Sequence, residues 1–137
     1  MTIIQNTITI KTDSTLQIIN LTDKIEETLK DSKLNEGLIS IFTKHSTSAI
    51  VINEDEKGLI KDFKNILKTI VPSSLKYEHD LIDNNASSHL RSLFLSSSET
   101  IPFTNGKLNL GVWQSIFFVE LDGPRNNRTI IITIIGE

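Results

Sequence analysis

The chain has 137 residues, of which 14 are basic and 17 acidic, for a net charge of −3, with 38% apolar and 23% charged side chains. This composition describes a single soluble domain over 1–137, large enough for a real core. The mild acidity argues against nucleic acid as the main partner, because phosphate backbones demand a concentrated basic face. The absence of cysteine excludes disulfides, thiolate metal sites and cysteine nucleophiles.

Met1 to Asn6 lacks the basic start and long apolar stretch of a signal peptide. The apolar run Ile130-Ile131-Ile132 is too short to cross a bilayer. A cytoplasmic protein without a membrane partner is expected. Ile8-Thr9-Ile10-Lys11 alternates like a half-buried strand, and Leu16-Gln17-Ile18-Ile19 reads as a second, with Asp13-Ser14 turning between them. Thr22 is placed to cap a helix whose buried stripe is Leu21, Ile25 and Leu29. Leu38 to Thr43 and Thr47 to Ile52 read as strands. Asn53-Glu54-Asp55-Glu56 then begins a helix that Pro72 ends. Ser73 to Asn84 reads as a loop. Asn84 or Asn85 caps a short helix with Ala86, Leu90 and Leu93 inward. Thr104-Asn105-Gly106 is a hairpin signal. Trp113 to Leu121 and Arg128 to Ile135 are strands, the last apolar on both parities and so expected to be covered on both faces. The order ββαββααβββ is α+β, with about three helices on antiparallel sheets.

The three histidines all lie in polar contexts: Lys44-His45-Ser46-Thr47-Ser48, Tyr77-Glu78-His79-Asp80 and Ser87-Ser88-His89-Leu90-Arg91. Imidazole titrates near neutrality and is the commonest metal ligand. Three of them leave a fourth position open, as catalytic zinc requires, although their spacing matches no fixed ligand pattern. Asp80 or Asp83 would orient one ring through its second nitrogen. In extended chain His45 points away from Ser46 and Ser48, and no Gly-x-Ser-x-Gly elbow exists, which argues against a serine nucleophile. Capping accounts for Asn53 and Glu54 as they stand; functionally they would line a cleft near His45. Trp113 suits core packing or a subunit contact, and Gln114 suits a polar ligand.

Taken together, His45-Ser46-Thr47-Ser48-Ala49, Ile52-Asn53-Glu54, Tyr77-Glu78-His79, Asn85 to Arg91, Ile101-Pro102-Phe103, Gly106 to Gln114 and Asp122-Gly123-Pro124-Arg125 resemble, in order and nearly end to end, the YjbQ family. It is also called the secondary thiamine-phosphate synthase family. The resemblance implies an α+β protein with a β-sandwich, a homotrimer with sites toward subunit boundaries, and His45, His79 and His89 as a metal- or anion-binding cluster. It also implies a thiamine-phosphate synthase-like activity, which joins a hydroxymethylpyrimidine pyrophosphate to a thiazole phosphate and releases pyrophosphate. On this basis the expected ligands are a small phosphorylated molecule and a divalent metal, zinc at the histidines or magnesium with pyrophosphate. His45, His79, His89 and Asp83 are the expected catalytic residues, with Asp83 behind an imidazole or acting as base. Ser48, Asn53, Glu54, Asn85, Arg91, Gln114 and Arg125 are the expected substrate contacts, with Arg91 or Arg125 neutralising the pyrophosphate. A non-catalytic trimer that binds a small ligand or a structural metal is the alternative.

Overall fold

A computed structural model describes residues 1–137. The elements are β1 (Thr2–Thr12), β2 (Gln17–Asn20), α1 (Thr22–Ser32), β3 (Gly37–Thr43), β4 (Ser48–Asn53), α2 (Lys57–Ile70), a single 3₁₀ turn (Glu78–Leu81), α3 (Ala86–Leu95), β5 (Ser98–Thr104), β6 (Lys107–Leu108), β7 (Ser115–Glu120) and β8 (Arg125–Gly136). The strands form a large sheet in the order β1-β8-β3-β5-β6 and a small sheet in the order β2-β7-β4. Every pairing is antiparallel. The α+β class and its three helices are as the sequence suggested. The strand count exceeds the order ββαββααβββ by one because both arms of the expected Asn105-Gly106 hairpin are strands, β5 and β6. Both turn residues have positive φ, 55° and 69°, the backbone that a tight hairpin needs and that Asn-Gly adopts most readily.

The core lies between the sheets. Strand alternation sends Ile130, Ile132 and Ile134 of β8, Ile39 and Ile41 of β3, and Ile101 and Phe103 of β5 inward. The small sheet answers with Ile50, Ile116 and Phe118, and α1 inserts Leu21, Ile25 and Leu29. The other face of the small sheet packs Ala49 and Val119 against Leu67 of α2, with Phe63 and Leu95 alongside. The layers therefore run large sheet, small sheet, then α2 and α3, with α1 packed into the core between the sheets. No helix covers the outer face of the large sheet, where Leu38 and Ile135 are 50% and 41% exposed. Two-sided cover of the last strand is thus not supplied by this chain.

Several local expectations change. Thr22 caps nothing: its N–H donates to Asn20 Oδ1, and its Oγ1 accepts from the Ile116 N–H, tying α1 to β7. Helix α2 begins later than expected, with the Glu56 carboxylate accepting from the Gly58 and Leu59 N–H groups. Leu93 points outward because the inward face of α3 carries Ala86, Ser87, Ser88, Arg91 and Ser92.

One charged pair sits at a core-facing level between the sheets. Glu120 and Arg128 follow the inward parity of β7 and β8 and are almost wholly buried. Arg128 holds both carboxylate oxygens of Glu120 and also donates from Nη2 to the Thr47 carbonyl and hydroxyl, at 3.2 and 3.0 Å. Thr12 donates its hydroxyl to Glu120 Oε1 at 2.6 Å, and the Leu121 and Asp122 N–H groups donate to Oε2. Burial by itself would raise the Glu120 pKa, but the hydrogen bonds from Arg128, Thr12 and Asp122 and the Arg128 charge hold it below the ordinary carboxylate value. Arg128→Met strands a buried carboxylate and should cost about 3–5 kcal/mol of unfolding free energy in urea, whereas adding Glu120→Gln should restore part of the loss.

Candidate functional site

The buried pair sets the start of the β7–β8 turn, residues 121–125. A Cβ on Gly123 would lie 2.2 Å from the Ser14 carbonyl oxygen, so only glycine lets this turn pass against the β1–β2 turn. From that turn Asp122 Oδ2 accepts from Arg125 Nη2 at 2.9 Å and from Asn85 Nδ2 at 3.0 Å. Arg125 Nε also donates to the Asp122 carbonyl at 2.9 Å.

The direction of the Asn85 amide fixes a proton. Its nitrogen faces Asp122, so its Oδ1, 3.1 Å from His79 Nε2, is the acceptor. His79 must then donate from Nε2, which leaves a lone pair on Nδ1 in the neutral ring. His89, in the first turns of α3, meets His79 edge to face, with ring centroids 4.8 Å apart and planes at 83°. Asp80 supports the arrangement by accepting from the Ala86 N–H at the start of α3, at 2.9 Å. Asp80 is thus a helix cap. The Asp83 carboxylate makes no hydrogen bond to an imidazole, and the orienting role expected of Asp80 or Asp83 falls to Asn85.

His45 is used differently. The Thr129 N–H donates to its Nε2 at 2.8 Å, so the lone pair that a metal would need is already engaged. Burial first, then the positive charge of Arg128, lowers its pKa, against an opposing pull from Glu120. Within this chain no three histidine, aspartate or glutamate side chains gather closely enough to hold a metal ion. The chain brings together two of the three expected imidazoles, with Asn85 and Arg125, and holds the third in a backbone bond.

The remaining expected residues divide between two ends of the small sheet. Ser48 pairs with Glu120 and Asn53 with Ser115, so five strand steps, about 17 Å, separate them. Ser48 is buried, its hydroxyl shared with Thr43 and the His45 carbonyl. At the far end Asn53 Oδ1 accepts from the Glu54 N–H at 2.8 Å. Gln114 Oε1 accepts from the Gly111 N–H, also at 2.8 Å. Glu54 edges a groove of about 170 Å³ lined mainly by apolar residues such as Val51, Leu59 and Phe63. No cleft joins Asn53 or Glu54 to His45 in this chain. Arg91 lies apart from both sets, in a cleft between α2 and α3.

Three residues of this end escaped the sequence reading. Glu120 and Arg128 had a usable signal: each is a lone charge beside an apolar run, at the parity of the inward-facing residues of its strand, and a charge buried there must find a partner. Asp122 had none beyond its place in a turn.

The model of the family described as "UPF0047 protein YjbQ-like" matches residues 6–137. A UPF0047 protein of Methanothermobacter thermautotrophicus is 44% identical over 93% of this chain and 89% of its own length. The UPF0047 protein YugU of Bacillus subtilis is 33% identical, over 95% of this chain and 98% of its own. The fold is similar to the crystal structure of a YbjQ-like protein of unknown function from Sulfolobus solfataricus, with a TM-score of 0.97 and 40% identity over 99% of both chains. A hypothetical protein of Aeropyrum pernix is similar at a TM-score of 0.93 and 36% identity, over 97% of this chain and 98% of that one.

The lowered His45 pKa has a consequence for stability. The folded state binds this proton less tightly than the unfolded chain, so the His45 contribution is complete above the ordinary value of 6.5 and is lost as pH falls through the lowered one. Urea midpoints should drop between about pH 7.5 and 5, and His45→Gln should flatten that part of the profile. An unchanged slope in the variant would mean that other groups govern it.

Proposed function

The chain belongs to the UPF0047 YjbQ-like family, and from that premise we propose that it is an enzyme acting on a small phosphorylated substrate at the 121–125 face. The observation that carries this reading is the His79–His89 pair, fixed through Asn85 and Asp122 to Arg125. An imidazole with a defined proton and a free lone pair suits proton transfer. A guanidinium held by a carboxylate, yet half exposed on its side chain, can still reach an outside anion. The proposed reaction is thiamine-phosphate synthase-like: the lone pair of the thiazole ring nitrogen forms a bond to the pyrimidine's methylene carbon, the ring becomes a thiazolium, and the carbon–oxygen bond to pyrophosphate breaks. The pyrophosphate departs with the bonding electron pair, and Arg125 offsets the charge that develops on it.

Two imidazoles do not make a catalytic zinc site, which takes three protein ligands and an open position. A metal at His79 and His89 therefore belongs to this proposal only with a further ligand from a second copy, and no step above runs through it. Trimer formation is part of the same proposal. Its support is apolar surface that this chain leaves bare: Leu81 and Ile82 beside the imidazoles are 90% and 84% exposed, and Val112 and Trp113 at the far end are 91% and 72% exposed. An assembly that sets one copy's far end against another's imidazoles would cover both. A cytoplasmic location is likewise proposed; no helix is long and apolar enough to cross a membrane.

Purified protein should form thiamine phosphate from the two phosphorylated precursors, and His79→Ala or His89→Ala should slow it about 10²-fold or more. Rates equal to wild type in both variants would remove catalysis from this pair. No turnover at all, with pyrophosphate still bound, would favour the non-catalytic binding trimer. Elemental analysis and sedimentation of the same sample should give a divalent metal, zinc first, and the mass of three chains.

A further inference from the structure

A second site lies on the other side of Asp122. A cleft of about 630 Å³ opens between the C-terminal end of α2, the β1–β2 turn and the first turn of α3, and Lys68, Ser73, Ser74, Ser87, Ser88 and Arg91 are among its lining residues. We propose that it is an anion subsite that takes the phosphoryl group of a small phosphate monoester, with the buried Arg91 at its base. This inference stands whether or not the imidazole pair is catalytic.

Arg91 is the reason. It is only 6% exposed, and burial lowers its pKa. No carboxylate of the chain pairs with it, Tyr77 being the one neighbour that favours its charge: the ion pairs of the structure join Met1 to Glu137, Arg125 to Asp122 and Arg128 to Glu120. The contrast with Arg128 is direct, since that equally buried guanidinium grips a carboxylate. Arg91 has instead a neutral carbonyl, with Nε and Nη2 both donating to Val71 O at 3.1 and 2.8 Å. Those two bonds lock the guanidinium plane at the end of α2. They leave Nη1 without a protein acceptor, and because no fully buried polar side-chain atom lacks a partner, Nη1 reaches open space. Buried charges are normally paired, and the missing partner here is an anion arriving through the cleft.

The surroundings fit a phosphoryl group. Ser87 and Ser88 belong to the first turn of α3, where Asp80 takes the Ala86 N–H and the Asn85 carbonyl takes the Ser88 N–H, which leaves the Ser87 N–H and the two hydroxyls for an anion. Lys68, in the last turn of α2, adds a second cation at the rim. The one carboxylate on the wall, Asp122, is already held by Arg125 and Asn85. The hydroxyls of Ser73, Ser74, Ser87 and Ser88 can donate to the non-bridging oxygens of a phosphate.

Titration of the full-length protein, with amide ¹H–¹⁵N shifts as the readout, tests the proposal. Inorganic phosphate and glycerol phosphate should each move the Ser87 and Ser88 amides and the Arg91 Nε–H signal. Lys68→Glu, on an exposed helix surface, should weaken binding about tenfold, and Arg91→Lys should do so at least as strongly. His79→Ala and Arg125→Ala should leave these shifts in place, which separates this subsite from the imidazole face. Tighter binding of the monoester supports the proposal as stated, whereas equal binding of both probes would reduce the site to one for free phosphate and overturn the monoester assignment. If Arg91→Lys does not fold, Lys68→Glu decides. Shifts confined to His79, His89 and Arg125, or affinities unmoved by Lys68→Glu, would overturn the subsite altogether.

Discussion

Everything at the functional end of this molecule hangs from the buried contact between Glu120 and Arg128. Taking two charges out of water costs several kcal/mol for each, and only a full set of hydrogen bonds can offset that. Here the set is full: the guanidinium spans both carboxylate oxygens and reaches Thr47, and Thr12 and two backbone N–H groups complete the carboxylate. The contributors come from β1, the β3–β4 loop, β7 and β8, so the pair joins the two sheets at one end. The depressed Glu120 pKa marks which effect wins, because desolvation alone would have pushed it the other way.

The position of Asp122 follows from this. Its N–H is fixed by Glu120, its turn is pressed against Ser14 at Gly123, and its carboxylate then has one place to be. From there the chain of bonds Arg125–Asp122–Asn85–His79 transmits orientation outward, each link setting the donor and acceptor sense of the next. His45 enters the same region from the other side but serves the backbone of β8. The scaffold therefore spends one histidine on holding a strand and presents two to solvent.

The strands were legible because isoleucine alternation in β3 and β8 leaves little choice of face. The α1 stripe was legible for the same reason at helical period, and Leu21, Ile25 and Leu29 are all fully buried. Capping was only partly legible because side chains with similar chemistry compete: Thr22 bonds β7, and Asn85 holds the N-cap position of α3 as expected while the nearby Asp80 supplies the capping bond. Leu93 misled because α3 turns a polar face inward, where Arg91 and three serines bond neighbouring backbone or line a cleft. Of the imidazoles, the His79–His89 meeting follows from a 3₁₀ turn folding back onto α3. The separate fate of His45 depends on a backbone N–H in a strand 84 residues away, which no local pattern encodes.

Charge ties these features together. The chain is net acidic by three, which keeps polyanions at a distance, yet its deepest unpaired charge is a cation. In the proposed subsite a small phosphate ester reaches Arg91 through the cleft, whereas a long polyphosphate backbone also meets the net negative charge of the chain. The same logic separates Arg91 from Arg125. Arg125 is paired to Asp122 and half exposed, so an anion there competes with a carboxylate and with water. Arg91 faces neither competitor once its cleft is filled, and it is locked in place before the ligand arrives. Preorganised and without a carboxylate partner, it is the stronger anion anchor of the two, and the hydroxyls around it set which anion fits.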